Sequence, residues 1–151
     1  MMVEHILTSA AIRVTRSATV QDAAILMRDR HVGAVLVTDE GDGDRLAGIV
    51  TDRDIAIHAV ADGRSPKSCP VGDVMTPAVV SVPRGARVSE ALELMRKHGV
   101  RRLVVVDAAG ALAGFISLDD ILESMSIDFA AVGGVLHGAL KRELLRTSGT
   151  M

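Results

Sequence analysis

The chain has no tryptophan, no tyrosine and only two phenylalanines, Phe115 and Phe129. That poverty of aromatic rings excludes the stacking platforms on which single-stranded nucleic acids are bound. A single cysteine, Cys69, cannot form an intramolecular disulfide or a thiolate metal cluster, and it fits a reducing compartment. Charge of one sign is also missing: 17 Lys and Arg face 19 Asp and Glu, a net charge of −2, so the chain lacks a strongly basic footprint for nucleic acid. No run approaches the roughly 20 apolar residues needed to span a bilayer. The start of the chain, with Glu4 and His5, does not read as a signal peptide, and the cytoplasm is the expected location. The five histidines, His5, His31, His58, His98 and His137, are scattered without metal-ligand spacing. No Ser-His-Asp ordering, H-E-x-x-H or phosphate-binding P-loop is present. Nothing in the sequence reads as catalytic or as a metal site.

What the chain does have is aliphatic bulk, 48% apolar residues in 151, enough for one ordinary domain or two very small ones packed together. It also repeats itself. At an offset of 68, Val20, Ala23, Leu26, Met27, Arg28, Val32, Val37 and Asp39 are matched identically by Val88, Ala91, Leu94, Met95, Arg96, Val100, Val105 and Asp107. The offset then falls to 66, because the turn over residues 40–45 is longer than its counterpart over 108–111. Leu46-Ala47-Gly48 and Asp54-Ile55 recur as Leu112-Ala113-Gly114 and Asp120-Ile121, and the lead-in Ile6-Leu7-Thr8 sits over Val74-Met75-Thr76. The chain is a tandem duplication.

Each copy predicts the same elements. Val20, Ala23, Ala24 and Met27 form one face of a helix, as do Val88, Ala91, Leu92 and Met95. Thr19 with Asp22 makes a capping box. Two apolar runs joined by a polar turn follow, 34–38 with 46–50 and 103–106 with 112–116, and each pair reads as a hairpin. A second helix closes each copy, over 52–61 and 118–125. The expected fold is α+β: two units of β-α-β-β-α, residues 1–62 and 72–126, joined by a linker over 63–71. They would pack sheet to sheet about a pseudo-twofold axis, because about 55 residues cannot cover both faces of a sheet alone. A tail, 127–151, carries Val132, Val135, Leu136, Ala139, Leu140 and Leu144 at helical spacing, with Lys141, Arg142 and Arg146 on or beside the polar side. It predicts an amphipathic helix that docks on its own monomer, contacts a second copy or serves a partner.

The chemistry gathers at one strand-to-helix corner, found twice: Gly48-Ile49-Val50-Thr51-Asp52-Arg53-Asp54 and Gly114-Phe115-Ile116-Ser117-Leu118-Asp119-Asp120. Thr51 with Asp54, and Ser117 with Asp120, are ordinary helix-capping pairs. The same geometry also suits a ribonucleotide. A helix start attracts phosphate, a cap hydroxyl can bond to it, a carboxylate one turn in can accept ribose hydroxyls, and a glycine lets a flat ligand approach the strand.

The duplicated unit, closed each time by glycine, two apolar residues, a hydroxyl residue and an aspartate three further on, resembles a tandem pair of CBS (cystathionine β-synthase) domains, a Bateman module. The resemblance covers about residues 5–126. It implies a ligand-sensing regulatory protein, not an enzyme, that binds an adenine nucleotide (AMP, ADP or ATP) or a related ligand such as S-adenosylmethionine or NADH, forms a homodimer and signals to an effector protein. Carried over by position, Asp54 and Asp120 would hold ribose hydroxyls and Thr51 and Ser117 would touch phosphate, beside Gly48 and Gly114. Arg101 and Arg102 match basic residues that reach phosphates, whereas copy one has Gly33 and Ala34 at those places, so the two clefts differ. Arg53 would supply a phosphate partner at the first corner, where the second has Asp119. The competing reading is a structural or interaction module that binds no ligand and acts through its dimer and C-terminal helix.

Overall fold

The computed structural model describes residues 1–9, 12–41, 45–77 and 80–147, with the backbone alone for Glu143, Leu144, Arg146 and Thr147. The middle of the longer turn, 42–44, the side chains of Leu144 and Arg146, and the tail beyond 147 therefore lie outside the described residues. The chain divides into two compact units, residues 1–117 and 118–151.

In the first unit the duplication appears as two four-stranded sheets. Copy one supplies β1 (Thr8–Ser9), β2 (Arg13–Thr15), α1 (Val20–Arg30), β3 (Ala34–Thr38), β4 (Leu46–Thr51) and α2 (Asp52–Ile55), which continues as a π-helical turn over Ala56–Val60. Copy two supplies β5 (Thr76–Pro77), β6 (Ser81–Pro83), α3 (Val88–His98), β7 (Arg102–Val106) and β8 (Leu112–Ser117). The predicted elements are present, and the predicted α+β class is the one observed.

The lead-in strands behave unlike anything the sequence announced. Each copy begins with two short strands, and the first of them leaves for the other copy's sheet. The sheet orders are β2-β3-β4-β5 and β1-β8-β7-β6. Thus Thr76 and Pro77 pair with Ile49 and Gly48, while Thr8 and Ser9 pair with Phe115 and Gly114. Pro77 and Pro83 both fall on edge strands, where a missing N–H costs no ladder bond.

Period-two alternation then sorts side chains between two cores. Ala34 and Leu36 of β3 and Ile49 of β4 meet Val104 of β7 and Phe115 of β8 between the sheets. Val35, Val37 and Val50 point the other way, onto Val20, Ala23 and Met27 of α1. Fully buried aliphatic side chains such as Leu36 and Leu103 each contribute about 1.5–3 kcal/mol.

The helix starts repeat the symmetry. Thr19 Oγ1 accepts from the Asp22 amide at 3.1 Å, and Asp22 Oδ2 accepts from the Thr19 amide at 3.0 Å, the predicted capping box. Those bonds hold the Asp22 carboxyl below its ordinary range, the Thr19 amide being the main cause. In copy two Glu90 caps back onto the Arg87 amide at 2.6 Å. The amide of Val20 donates to the Cys69 carbonyl at 2.9 Å and that of Val88 to the Met1 carbonyl at 3.1 Å, so the linker and the chain start hold equivalent helix ends. His31 closes α1 as its C-cap in the left-handed region at φ 54°, where Gly99 closes α3 at 63°.

The second unit departs from expectation. The helix predicted to end at Met125 runs unbroken as α4 (Leu118–Thr147) through the place where a separate tail was expected. Gly133 and Gly134 each cost about 1 kcal/mol of helix propensity. Several helical turns on either side carry the hydrogen-bond ladder past them.

Gly48 and Gly114 make the strand exchange sterically feasible. A Cβ at Gly48 would overlap the Thr76 carbonyl oxygen and sit 3.0 Å from Met75 Sδ; one at Gly114 would overlap the Thr8 carbonyl oxygen and sit 2.8 Å from Leu7 Cδ1. Gly48→Ala should therefore push β5 off β4 and cost about 1–3 kcal/mol in urea unfolding, as other overpacked sites do. A loss under 0.5 kcal/mol would mean that the exchange tolerates a side chain there.

Candidate nucleotide cleft

The first corner forms where β4 runs into α2. Thr51 is the N-cap of α2: its Oγ1 accepts from the Asp54 amide at 3.0 Å, and Asp54 Oδ2 accepts from the Thr51 amide at 2.9 Å. Both side chains are half-buried. The box leaves the Thr51 hydroxyl proton to donate and Asp54 Oδ1 to accept, so capping and ligand binding do not compete for the same atoms. Asp52 accepts from the Arg53 amide at 2.8 Å, and the Arg53 residue is exposed.

A cavity of about 190 Å³ opens beside this corner, lined by Ile49, Thr51, Thr76, Val80, Val100, Arg101 and Arg102. Its wall is therefore built from three places in the sequence. Ile49 and Thr51 come from copy one, Thr76 from the strand that crosses over to pair with β4, and Val80, whose carbonyl accepts from the Val104 amide, and Val100 to Arg102 from copy two's own sheet and its α3–β7 junction. Arg101 is exposed and Arg102 half-buried. The Nε of Arg102 is shut away from solvent with no hydrogen-bond partner among the described residues. A buried donor left this way costs about 1–3 kcal/mol, and native structures rarely keep one without a reason.

The structure thus brings Thr51, Arg101 and Arg102 onto one cavity and puts Asp54 and Arg53 at its corner. Gly48 stands close by, but its small size is already required by the passage of β5; Gly114 is required in the same way by β1. At the second corner Ser117 is buried, and Asp119 and Asp120 lie in the first turn of α4. Where copy two has Arg101 and Arg102, copy one has Gly33, which carries no charge, and Ala34, which is buried in the core between the sheets. Four lining residues, Ile49, Thr76, Val80 and Val100, were not singled out from the sequence. The one available signal was the match of Thr76 with Thr8 in the repeated lead-in.

A larger hollow, about 530 Å³, is lined by Arg16, Ser17, Asp39, Glu40, Pro70, Gly72 and Asp73. Three of its four charged residues are in ion pairs: Asp39 with Arg16 at 3.2 Å and with Arg45 at 3.4 Å, and Asp73 with Arg64 at 2.5 Å. The described residues contain no cluster that could hold a metal ion, and no helix among them is long and apolar enough to cross a membrane.

Two fused copies of one β-α-β-β unit that exchange their entry strands define a tandem two-copy module. The chain belongs to the CBS domain family, whose model matches residues 3–60 and 71–127. It is 37% identical over 119 residues to the CBS domain-containing protein YhcV of Bacillus subtilis, covering 79% of this chain and 81% of that one. A putative signal-transduction protein with CBS domains from Burkholderia ambifaria superposes with a TM-score of 0.70 at 37% identity, over 85% of this chain and 96% of that one. A CBS domain protein from Pyrobaculum aerophilum, solved in complex with AMP, gives 0.69 at 27% identity, over 80% and 89%. Relatives differ in length: the chain spans only 53% of one from Methanopyrus kandleri.

The orphaned Arg102 donor gives a direct test. Arg102→Met keeps the aliphatic stem and removes the buried N–H, so the melting temperature should hold or rise, by the equivalent of up to about 1 kcal/mol. A clear loss of stability would make this guanidinium a structural group instead.

Proposed function

We propose that the chain is a regulatory sensor that binds one phosphorylated adenine nucleotide in the cavity between its two copies. The observation that carries this reading is the buried, unpaired Nε of Arg102 on a cavity whose other walls are apolar side chains and threonine hydroxyls. Arg101 and Arg102 would hold the phosphate, with Thr51 and the first turn of α2 completing its hydrogen bonds and Arg53 available at the corner. Asp54 Oδ1 would accept from the ribose, and Ile49, Val80 and Val100 would flank the base. The relative solved with AMP supports this ligand class.

The two arginines also separate candidate ligands. They favour phosphate-bearing AMP, ADP, ATP or NADH over S-adenosylmethionine, whose sulfonium is a cation. In copy one the places of Arg101 and Arg102 are held by Gly33 and Ala34, so the cleft equivalent to this one lacks the two guanidiniums and would take a nucleotide weakly. Because the cavity wall comes from both copies, an occupant would favour one arrangement of them over another, and that difference is what an effector protein could read.

Isothermal calorimetry against AMP, ADP, ATP, NADH and S-adenosylmethionine tests the proposal. Saturable binding of a phosphorylated ligand near one per chain is expected. Arg102→Met should weaken it about 10- to 100-fold, the loss of a charge-assisted hydrogen bond. Asp54→Asn, which keeps an acceptor for the Thr51 amide, should weaken it about tenfold, and Ser117→Ala should leave it unchanged. No binding across the panel by a folded protein would favour the interaction-module reading. Equal loss in Ser117→Ala would move the site to the second corner.

A further inference from the structure

The helix α4 has a property of its own, independent of the cleft. Leu122, Met125, Phe129 and Val132 in its first half, and Leu136 and Leu140 in its second, form one apolar stripe. All six are exposed, from 38% at Met125 to 71% at Phe129. So long a bare strip is unfavourable in water. At its middle stand Gly133 and Gly134, of the residue type that holds a helix least well after proline. Beyond the helix's own backbone, nothing lies within 4 Å of where a Cβ would stand on either. No packed neighbour therefore keeps the backbone straight at that point.

The charges are sorted about the same point. Every charged residue between Leu118 and Val132 is acidic, whereas the second half carries Lys141, Arg142 and Arg146 against Glu143 alone. Asp128 and Arg142 lie beside the stripe at equivalent positions two heptads apart, about 21 Å along a straight helix. Among the described residues neither has an ionic partner.

Bending the helix toward its stripe at the two glycines brings the halves together as an antiparallel pair, the short-loop αα-hairpin. The midpoint between Gly133 and Gly134 sets the register. Phe129 comes level with Gly138, so its ring enters the gap between Leu136 and Leu140. Equivalent heptad positions share a flank in an antiparallel pair, so Asp128 and Arg142 fall on the same side. Arg142 comes level with Met125, three residues from Asp128, or about 4.5 Å along the axis. That is within an arginine's reach. The charge sorting thus favours one cover for the stripe, the other half of the same helix. We infer that α4 is a hinged helix that closes at Gly133-Gly134 into a hairpin latched by Asp128 and Arg142. The straight form is its open state, in which the apolar stripe is displayed; closing withdraws it.

Double electron–electron resonance on the full chain tests this, with nitroxide labels on Ser126→Cys and Leu145→Cys, Cys69→Ala in the background, and circular dichroism to confirm folding. The labelled positions are about 28 Å apart in the straight helix, and closure brings them below about 20 Å. An excess of unlabelled chain removes distances between molecules. The short distance is expected in the otherwise native chain. Gly133→Ala with Gly134→Ala should lower the ratio of closed to straight about 30-fold, from the helix propensity gained at two positions. Asp128→Arg should lower it about threefold or more, and adding Arg142→Asp should restore it. The long distance alone in the native sequence would overturn the inference, as would a short distance that survives both alanines. A ratio unmoved by Asp128→Arg would overturn the latch. A short distance that disappears on dilution with unlabelled chain would overturn the hairpin in favour of contact between copies.

Discussion

The close approach of backbone to backbone at Gly48 and Gly114 is the constraint on which the first unit depends. Each glycine sits where a strand of the other copy crosses, and in each case a single added carbon would overlap a carbonyl oxygen. The exchange gives each three-stranded half a fourth strand. It also brings Thr76 to the first corner, where it lines the cavity. One steric allowance thus links the sheet order to the composition of the site.

The duplication explains both the likeness and the difference between the corners. Positions that determine the fold are kept in both copies: the helix stripes, the crossing glycines, and the hydroxyl residue and aspartate of the strand-to-helix corner. Arg101 and Arg102 are not kept, and their counterpart Ala34 has been absorbed into the core between the sheets. Divergence has fallen on side chains that leave the hydrogen-bond ladders alone, so a symmetric scaffold presents an asymmetric pair of surfaces. The capping box at Thr51 and Asp54 belongs to this economy too. The atoms that start α2 are distinct from the atoms that remain to meet a ligand.

Much of this was legible in the residues. Helical and alternating periodicities located α1, α3 and the long strand pairs, and the repeat supported each by giving it twice. Thr19 with Asp22 and Thr51 with Asp54 named their helix starts correctly, because capping is local chemistry. The destination of β1 and β5 was not legible, since two-residue strands such as Thr8–Ser9 and Thr76–Pro77 carry no period and their partners are remote in sequence. For the same reason Gly48 and Gly114 read as openings for a ligand when their nearest neighbours are strands. The continuity of α4 was hidden by Gly133-Gly134, whose local preference is outweighed by the turns on both sides. Arg101 and Arg102 could be named from the sequence; that Nε of Arg102 is buried without a partner is a property of three-dimensional packing alone.

Strand exchange within one chain has a consequence for dilution. Were the two copies separate molecules, the crossing strands would have to be lent between them, and the completed sheets would come apart as the protein became scarce. The linker fixes the effective concentration of each copy as seen by the other. The cavity that depends on the exchange is therefore assembled equally well when the protein is rare and when it is abundant.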